Sequence, residues 1–136
     1  MWAGLLASSC SVTGDDDSNL IFINILSQIT SLQAKIVNYA CEKAEKEVST
    51  NGLVVSASHL VFKVEKLIQV TGNSDFNRLD RELDHLRYLG VMRGGIHTNT
   101  ESVDLTPTDL GLQMFVRCQG SNESPIIYFK LENQKE

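Results

Sequence analysis

The segment from residue 73 to residue 90 restricts the fold of this chain more than any other part. Large apolar side chains recur there three, four and three positions apart, which is the spacing of one face of an α-helix. They are Phe76, Leu79, Leu83 and Leu86. Asn73 or Ser74 can cap the start of this helix, and Gly90 can end it. The sequence therefore predicts an amphipathic helix that buries its leucines against other elements of the same domain.

Three helices are predicted ahead of this segment, because apolar residues recur there with the same helical spacing. The first covers residues 1–9, and the second begins near Ser18, which is a candidate cap. The third covers residues 32–48, directly after Thr30 or the serine that follows it. Its charged residues lie mainly away from the apolar stripe, as expected for the solvated face of a helix.

Residues 53–72 have features of both a strand and a helix. Their high content of β-branched side chains suits a strand. Four apolar residues nevertheless have helical spacing: Leu60, Val64, Leu67 and Ile68. Ser56 can cap such a helix, and Gly72 fits the position just after its end. The sequence therefore favours a helix here.

A β-hairpin and a further helix are predicted after the leucine-rich helix. Residues 91–92 form the first strand, the sequence "RGG" the turn, and residues 96–106 the return strand. Thr106 then caps a helix that has proline at its first position and continues to about Cys118.

The order of these elements predicts the fold class. Helices, a leucine-rich helix with a glycine exit and a hairpin follow one another in the order of a winged helix-turn-helix. The prediction is a mainly α, α+β fold: a helical bundle with a winged helix-turn-helix-like arrangement and a small β-hairpin wing. Residues 1–120 form this single domain, and residues 121–136 form a linker followed by a terminal strand or tail.

Charge limits the partners that this domain can bind. The 12 Lys and Arg residues are outnumbered by 17 Asp and Glu residues, so the formal net charge is −5, which disfavours phosphate backbones as a general target. Nearby carboxylates also offset the arginines of the leucine-rich helix: Asp75 and Glu82 are spaced to pair with Arg78. Asp84 is spaced to pair with Arg87. The residues predicted to contact a partner or nucleic acid are Arg78, Arg81, His85, Arg87 and Arg93.

No motif for catalysis, cofactor binding or metal binding stands out. The three histidines are widely spaced, and the acidic run at residues 15–17 lacks the ligand spacing of a calcium loop. There is no GxSxG, Walker or GxGxxG motif. We therefore expect no catalytic, cofactor or metal site, and no enzyme activity. His85 is expected to face solvent.

The cysteines and the opening peptide indicate the cellular compartment of the protein. Cys10, Cys41 and Cys118 are odd in number and far apart, which favours reduced thiols over a disulfide framework. The apolar start carries no Lys or Arg, unlike an export signal. No apolar run approaches the roughly 20 residues of a membrane span. The expectation is a cytoplasmic protein that does not associate with membranes.

Four stretches in order resemble the Abi-alpha family of bacterial abortive-infection proteins. They are "MWAGLLASS", "FINILSQITSLQAKIVNYA", "LDHLRYLGVM" and "LTPTDLGLQMFVRC", which together extend from residue 1 to residue 118. The resemblance implies that the opening peptide is an internal helix of the fold, usually preceded by further helices, with Trp2 packed in the core. The function implied is phage defence.

Two functions therefore stay open. The first is a non-enzymatic abortive-infection domain that acts through contacts with a protein partner of unknown identity. The second is a winged-helix regulator in which Arg78, Arg81, Arg87 and Arg93 contact DNA, although the net charge disfavours it. Homo-oligomerisation also stays open, and no cofactor is expected.

Overall fold

The computed structural model describes residues 1–8 and 17–132. This part of the chain contains seven helices and five short strands. The helices are α1 (Trp2–Ser8), α2 (Leu20–Leu26), α3 (Ser31–Lys43), α4 (Val64–Thr71), α5 (Phe76–Tyr88), α6 (Asp109–Cys118) and α7 (Pro125–Tyr128). The strands are β1 (Lys46–Val48), β2 (Val54–Ser56), β3 (Val61–Lys63), β4 (Ile96–His97) and β5 (Ser102–Asp104). The predictions for Cys10, Asp15 and Asp16 lie outside the described residues.

The strands form two small antiparallel sheets. β1 pairs with β2, with Val48 opposite Val54. The second sheet has the order β3-β5-β4, because β5 pairs on one side with β3 and on the other with β4. The fold is thus α+β with a β4–β5 hairpin, as predicted.

The leucines of α5 lie in the centre of the core, as their spacing predicts. Leu79, Leu83 and Leu86 are each 0% exposed. They face α3, which contacts α5 and supplies Ile36 and Val37 to the same apolar cluster. Burying a leucine-sized side chain contributes about 2 kcal/mol, so this face alone is a large part of the stability of the domain.

The start of α3 and the ends of α4 and α5 follow the predicted signals, since Gly90 after α5 is left-handed with φ of 83°, but the start of α5 does not. Thr30 caps α3 in a full capping box: its side chain accepts from the backbone N–H of Gln33, and the Gln33 side chain accepts from the backbone N–H of Thr30. Gly72 ends α4 in the left-handed conformation, with φ of 70°. In α5 the cap is Asp75, whose side chain accepts from Arg78 N–H, so the expectation of Asn73 or Ser74 is wrong.

The prediction of helix is wrong for residues 44–48 and for residues 53–63, whereas the predicted break at residues 49–52 is the turn between β1 and β2. α3 ends at Lys43 because Ala44 is extended, with ψ of 138°, and the chain continues as β1. Val48 and Val54 are each 3% exposed and lie opposite each other, next to the turn between β1 and β2. The predicted cap Ser56 lies in β2 and donates to the carbonyl of Pro107 instead. Pairing between distant segments outweighs the helical spacing here.

The hairpin forms, but its strands are displaced from those predicted. Met92 makes only an isolated bridge, with Pro107, and the paired strands β4 and β5 flank a turn at residues 98–101. Thr106 does not cap α6, because it is bonded to Asp104 and accepts from Leu60 N–H. Thr108 is the cap and accepts from the N–H of Gly111.

Two expectations about the ends of the chain are also wrong. Residues 125–128 form α7 rather than a terminal strand, and the Phe129 ring that follows stacks on Phe115 of α6. Trp2 is not in the core but 52% exposed. The reason is Gly4, which lies two positions along α1 and packs so tightly on α6 that a Cβ there would overlap the Cys118 carbonyl. The face bearing Gly4 and Leu5 is therefore inside, which turns Trp2 outward.

Among the helices of the described ranges, none is long and apolar enough to pass through a bilayer.

Candidate interaction surface

α5 presents a second stripe of side chains on the side opposite its leucines. Arg78, Arg81, His85 and Tyr88 are three, four and three residues apart, so they share one face of the helix. Both arginines are exposed, and Tyr88 is 85% exposed. These four residues are called the α5 surface below.

A buried glutamine fixes the α5 surface to α3. Gln33 is 0% exposed, and its Nε2 donates to the carbonyl oxygen of Glu82 at 3.0 Å. The same Nε2 lies 2.9 Å from His85 Nδ1, and Gln33 Oε1 accepts from the N–H of Thr30. Since an amide nitrogen only donates, Nδ1 is the acceptor, so the neutral ring carries its proton on Nε2. His85 is therefore half-buried and held in place, contrary to the expectation that it faces solvent.

Three carboxylates in or just before α5 have partners within the fold. Asp75 caps it, Glu82 accepts from the Thr30 hydroxyl at 2.7 Å, and Asp84 pairs with Arg87. Across residues 1–8 and 17–132, ion pairs form only between Arg87 and Asp84 and between His59 and Asp104. The predicted Arg87–Asp84 pair thus forms, whereas the pairs predicted for Arg78 do not. The guanidinium groups of Arg78 and Arg81 are consequently open to a partner.

Two predicted residues lie apart from the α5 surface. Arg87 faces the segment that leaves α5: a Cβ placed on Gly95 would come within 3.5 Å of its Nη1. Arg93 is exposed in that same segment, where its N–H donates to the carbonyl of Thr106 at 2.9 Å. The structure thus brings together Arg78, Arg81 and His85, and places Arg87 and Arg93 towards the hairpin.

Tyr88 is the residue of this surface that sequence reasoning missed. It lies three positions after His85 and seven after Arg81, so helical spacing alone could have assigned it to the same face. Large aromatic side chains are usually expected in the core. This tyrosine projects into solvent instead, because the three leucines already fill the buried face of α5.

An apolar groove adjoins the start of α5. It has a volume of about 380 Å³ and lies between α4, α5 and the β4–β5 hairpin. Its apolar lining is Val64, Ile68, Phe76 and Ile96. Phe76, predicted on the buried face of α5, is 49% exposed because it forms the wall of this groove.

Elsewhere in the described ranges, a histidine, an aspartate and two buried cysteines have structural roles. No three His, Cys, Asp or Glu side chains of this part cluster to hold a metal. His59 Nδ1 lies 3.2 Å from Asp104 Oδ2, while Asp104 also accepts from Thr106 N–H. Burial raises the pKa of Cys41 to about 12 and that of Cys118 to about 11, so both thiols are protonated at neutral pH.

Comparison with known proteins identifies the family. A family model described as abortive infection alpha matches residues 1–111. The chain belongs to the abortive infection alpha family. No curated protein matches it, and no solved structure does. The resemblance found in the sequence is confirmed at this level.

The abortive infection alpha match includes the whole α5 surface. It extends from α1 through the hairpin and ends in the first turn of α6, at Gly111. The rest of α6 and all of α7 lie beyond the abortive infection alpha match.

Proposed function

We propose that this chain is a non-enzymatic domain of an abortive-infection protein, which acts in the cytoplasm in phage defence by binding a protein partner through the α5 surface. The observation that carries the proposal is the Arg78–Arg81–His85–Tyr88 stripe on a helix anchored by three buried leucines. Tyr and Arg are the residues most often found at the energetic centres of protein interfaces. A second copy of the chain is among the protein partners that the proposal allows.

Charge favours a protein over a nucleic acid. Only two arginines on the α5 surface have no ion-pair partner in the described part of the chain, whereas affinity for a phosphate backbone requires several uncompensated cations. The hairpin tip offers Glu101 instead of a further cation. A protein partner with a carboxylate for each arginine and a pocket for the Tyr88 ring fits this surface better.

Topology supports a second candidate, a winged-helix domain that binds DNA. After α3 and the β1–β2 pair, the order β3, α4, α5, β4, β5 with β5 in the middle of the sheet is the order expected of a winged helix. In that arrangement α5 corresponds to the recognition helix that enters the major groove, and residues 98–101 form the tip of the wing.

A phage-protection assay tests the proposal as a whole. The full-length gene product is expressed as wild type, as Arg81→Glu/Tyr88→Ala and as the control Lys35→Ala, which changes an exposed residue of α3. We expect the double variant to lose at least about 90% of the reduction in plaque number, while the control keeps it. Equal protection by all three proteins would contradict a role for the α5 surface.

The class of partner is decided by two binding measurements. Quantitative pull-downs from infected cells should yield a protein captured by wild type and Lys35→Ala but not by Arg81→Glu/Tyr88→Ala. A gel shift with mixed-sequence duplex DNA at 150 mM salt should show no complex. A shift that disappears with Arg81→Glu would instead favour the winged-helix candidate.

A further inference from the structure

A cleft of about 430 Å³ lies in a part of the molecule separate from the α5 surface. It is formed by the start of α2, the β1–β2 turn, α6 and the segment that leads into α7. Its volume is within the range of small-molecule sites, which are mostly apolar with a few polar groups that fix orientation.

Arg117 is the only cation among the described residues that line this cleft. Its side chain is half-buried, and its Nη1 donates to Asn19 Oδ1 at 3.0 Å, to Ser18 Oγ at 3.3 Å and to Asn122 Oδ1 at 3.4 Å. These three acceptors are uncharged. The guanidinium is thus held in one orientation by neutral oxygens.

The charge of Arg117 has no counterion in the part of the chain that the structure describes. Its Nε and Nη2 have no hydrogen-bond acceptor among the described residues. Glu123 also lines the cleft, but it is exposed and forms no ion pair with Arg117. A guanidinium that is partly removed from water and presents free donors is suited to a carboxylate or a phosphate, which it can bind through two parallel hydrogen bonds.

Beside Arg117 and the polar residues of the lining, the cleft has an apolar wall. Phe22 of α2, Val54 of β2, Val116 of α6 and Ile126 of α7 all line it. Phe22, Val54 and Val116 are themselves buried, so these walls are fixed by the core. A ligand that bears an apolar chain beside its anionic head would cover these side chains while it neutralises Arg117.

From this geometry we propose that the cleft binds a small organic anion, with its carboxylate or phosphate head on Arg117 and its apolar body against Phe22, Val116 and Ile126. The site is independent of the proposed function, since it shares no residue with the α5 surface. Arg117 and Ile126 also lie beyond the matched residues 1–111, so the site is not implied by the family match.

Amide-resolved NMR titration of the full chain tests the site. The probes are hexanoate, hexyl phosphate and hexan-1-ol, which share one apolar chain and differ in the head group. We expect saturable shifts at Val116, Arg117 and Ile126 with at least one of the two anions, and binding of hexan-1-ol at least tenfold weaker. Comparison of the two anions identifies the preferred head. The proposal is overturned if neither anion saturates or if the alcohol binds equally well.

Two variants locate the binding at the cleft. Arg117→Gln should weaken the preferred anion at least tenfold, whereas the matched control Arg81→Gln should leave it unchanged. Leu53→Trp places a larger side chain at the rim of the cleft and keeps Arg117, so it also tests the site if Arg117→Gln does not fold. Binding that survives Leu53→Trp undiminished would overturn the proposal.

The acidic run at residues 15–17 provides the remaining test, because these carboxylates precede Ser18 in the chain. The variant Asp15→Asn/Asp16→Asn/Asp17→Asn should bind the anion at least as well as wild type. If only this variant binds the anion, then the chain's own carboxylates occupy Arg117, and the proposal is wrong.

Discussion

Gly4 is the residue at which α1 comes closest to α6. A Cβ there would overlap the carbonyl oxygen of Cys118, which is backbone and cannot rotate away as a side chain can. The same contact turns Leu5, which is 1% exposed, into the core. A glycine inside a helix lowers helix stability by about 1 kcal/mol relative to alanine, so close packing is the reason for its use here.

Gly4→Ala should therefore destabilise the protein despite its better helix propensity. We expect a loss of about 1–3 kcal/mol in the free energy of unfolding, because the added methyl group must displace α1. Urea unfolding measures it, with Leu6→Ala as the control on the same helix. Leu6 is 72% exposed, so its truncation should change stability by about 0.5 kcal/mol or less. Equal stability of Gly4→Ala and wild type would show that α1 does not pack on α6 in this way.

The buried thiols contribute stability that is lost at high pH. Burial raises the pKa of Cys41 to about 12 and that of Cys118 to about 11 from an ordinary 9.0. In the unfolded chain the thiols lose their protons near pH 9, whereas in the native protein they keep them. The contribution of the protonated thiols is therefore complete below pH 9 and is lost as the pH rises towards 12.

Unfolding free energies measured from pH 8 to pH 11 test this linkage. Wild type should lose stability more steeply above pH 9 than Cys41→Ala/Cys118→Ala. Burial also lowers the pKa of Lys46, which gives a slope of the opposite sign, but Lys46 is present in both proteins. Parallel profiles would contradict the assignment of the slope to the thiols.

At the scale of elements, α5 carries the residues that stabilise the fold on one face and the proposed binding residues on another. Its inner side chains are fully buried, whereas its outer side chains lie in solvent and have few partners within the fold. Two truncations on this one helix should consequently have different effects.

Leu83→Ala should reduce the free energy of unfolding by about 2–5 kcal/mol, because it leaves a cavity under α5. Tyr88→Ala should change it by about 0.5 kcal/mol or less, since Tyr88 is 85% exposed. Urea unfolding of the two variants compares them directly. A large loss on truncation of Tyr88 would mean that this ring supports the fold rather than a partner.

At the scale of the whole molecule, the last described residues cover the core. The Phe129 ring stacks on Phe115 with centroids 6.2 Å apart. Lys46 Nζ lies 4.5 Å from the centroid of the same Phe129 ring. Phe115 is only 4% exposed. α7 and the residue after it thus join α6 to the start of β1.

Deletion of residues 125–136 should expose Phe115 and lower the melting temperature by about 5–10 °C, which corresponds to a loss of about 2 kcal/mol. Ile127→Ala, which truncates a side chain of α7 that is 62% exposed, is the control and should change the melting temperature by about 2 °C or less. Scanning calorimetry measures both. If the longer deletion has no effect, then α7 does not contribute to the stability of the domain.

Local signals explain which parts of the fold were predictable. The leucine spacing of α5, the Thr30 capping box and the glycine end of α4 are each determined by neighbouring residues. The strands of residues 46–63 are not, because they form only when distant segments pair. The α6 cap shows the same limit: the sequence predicts Thr106, but hydrogen bonds to Asp104 and Leu60 hold Thr106 outside the helix.

The α5 surface was predictable in part for the same reason. Helical spacing placed Arg78, Arg81 and His85 on an outward face, and it could have added Tyr88. The bond from Gln33 to His85 could not be predicted, because it joins residues 52 positions apart. The hydrogen bond from the Thr30 hydroxyl to Glu82 could not be predicted either, and it leaves this face less fully neutralised than the sequence indicates.

The buried leucines of α5 have a consequence for how such a domain can diversify. Because they secure the helix without help from its outer positions, Arg81 and Tyr88 can be exchanged for other side chains while the architecture persists. Under the proposed function, members of the family would acquire new targets through a few surface changes on an inherited scaffold.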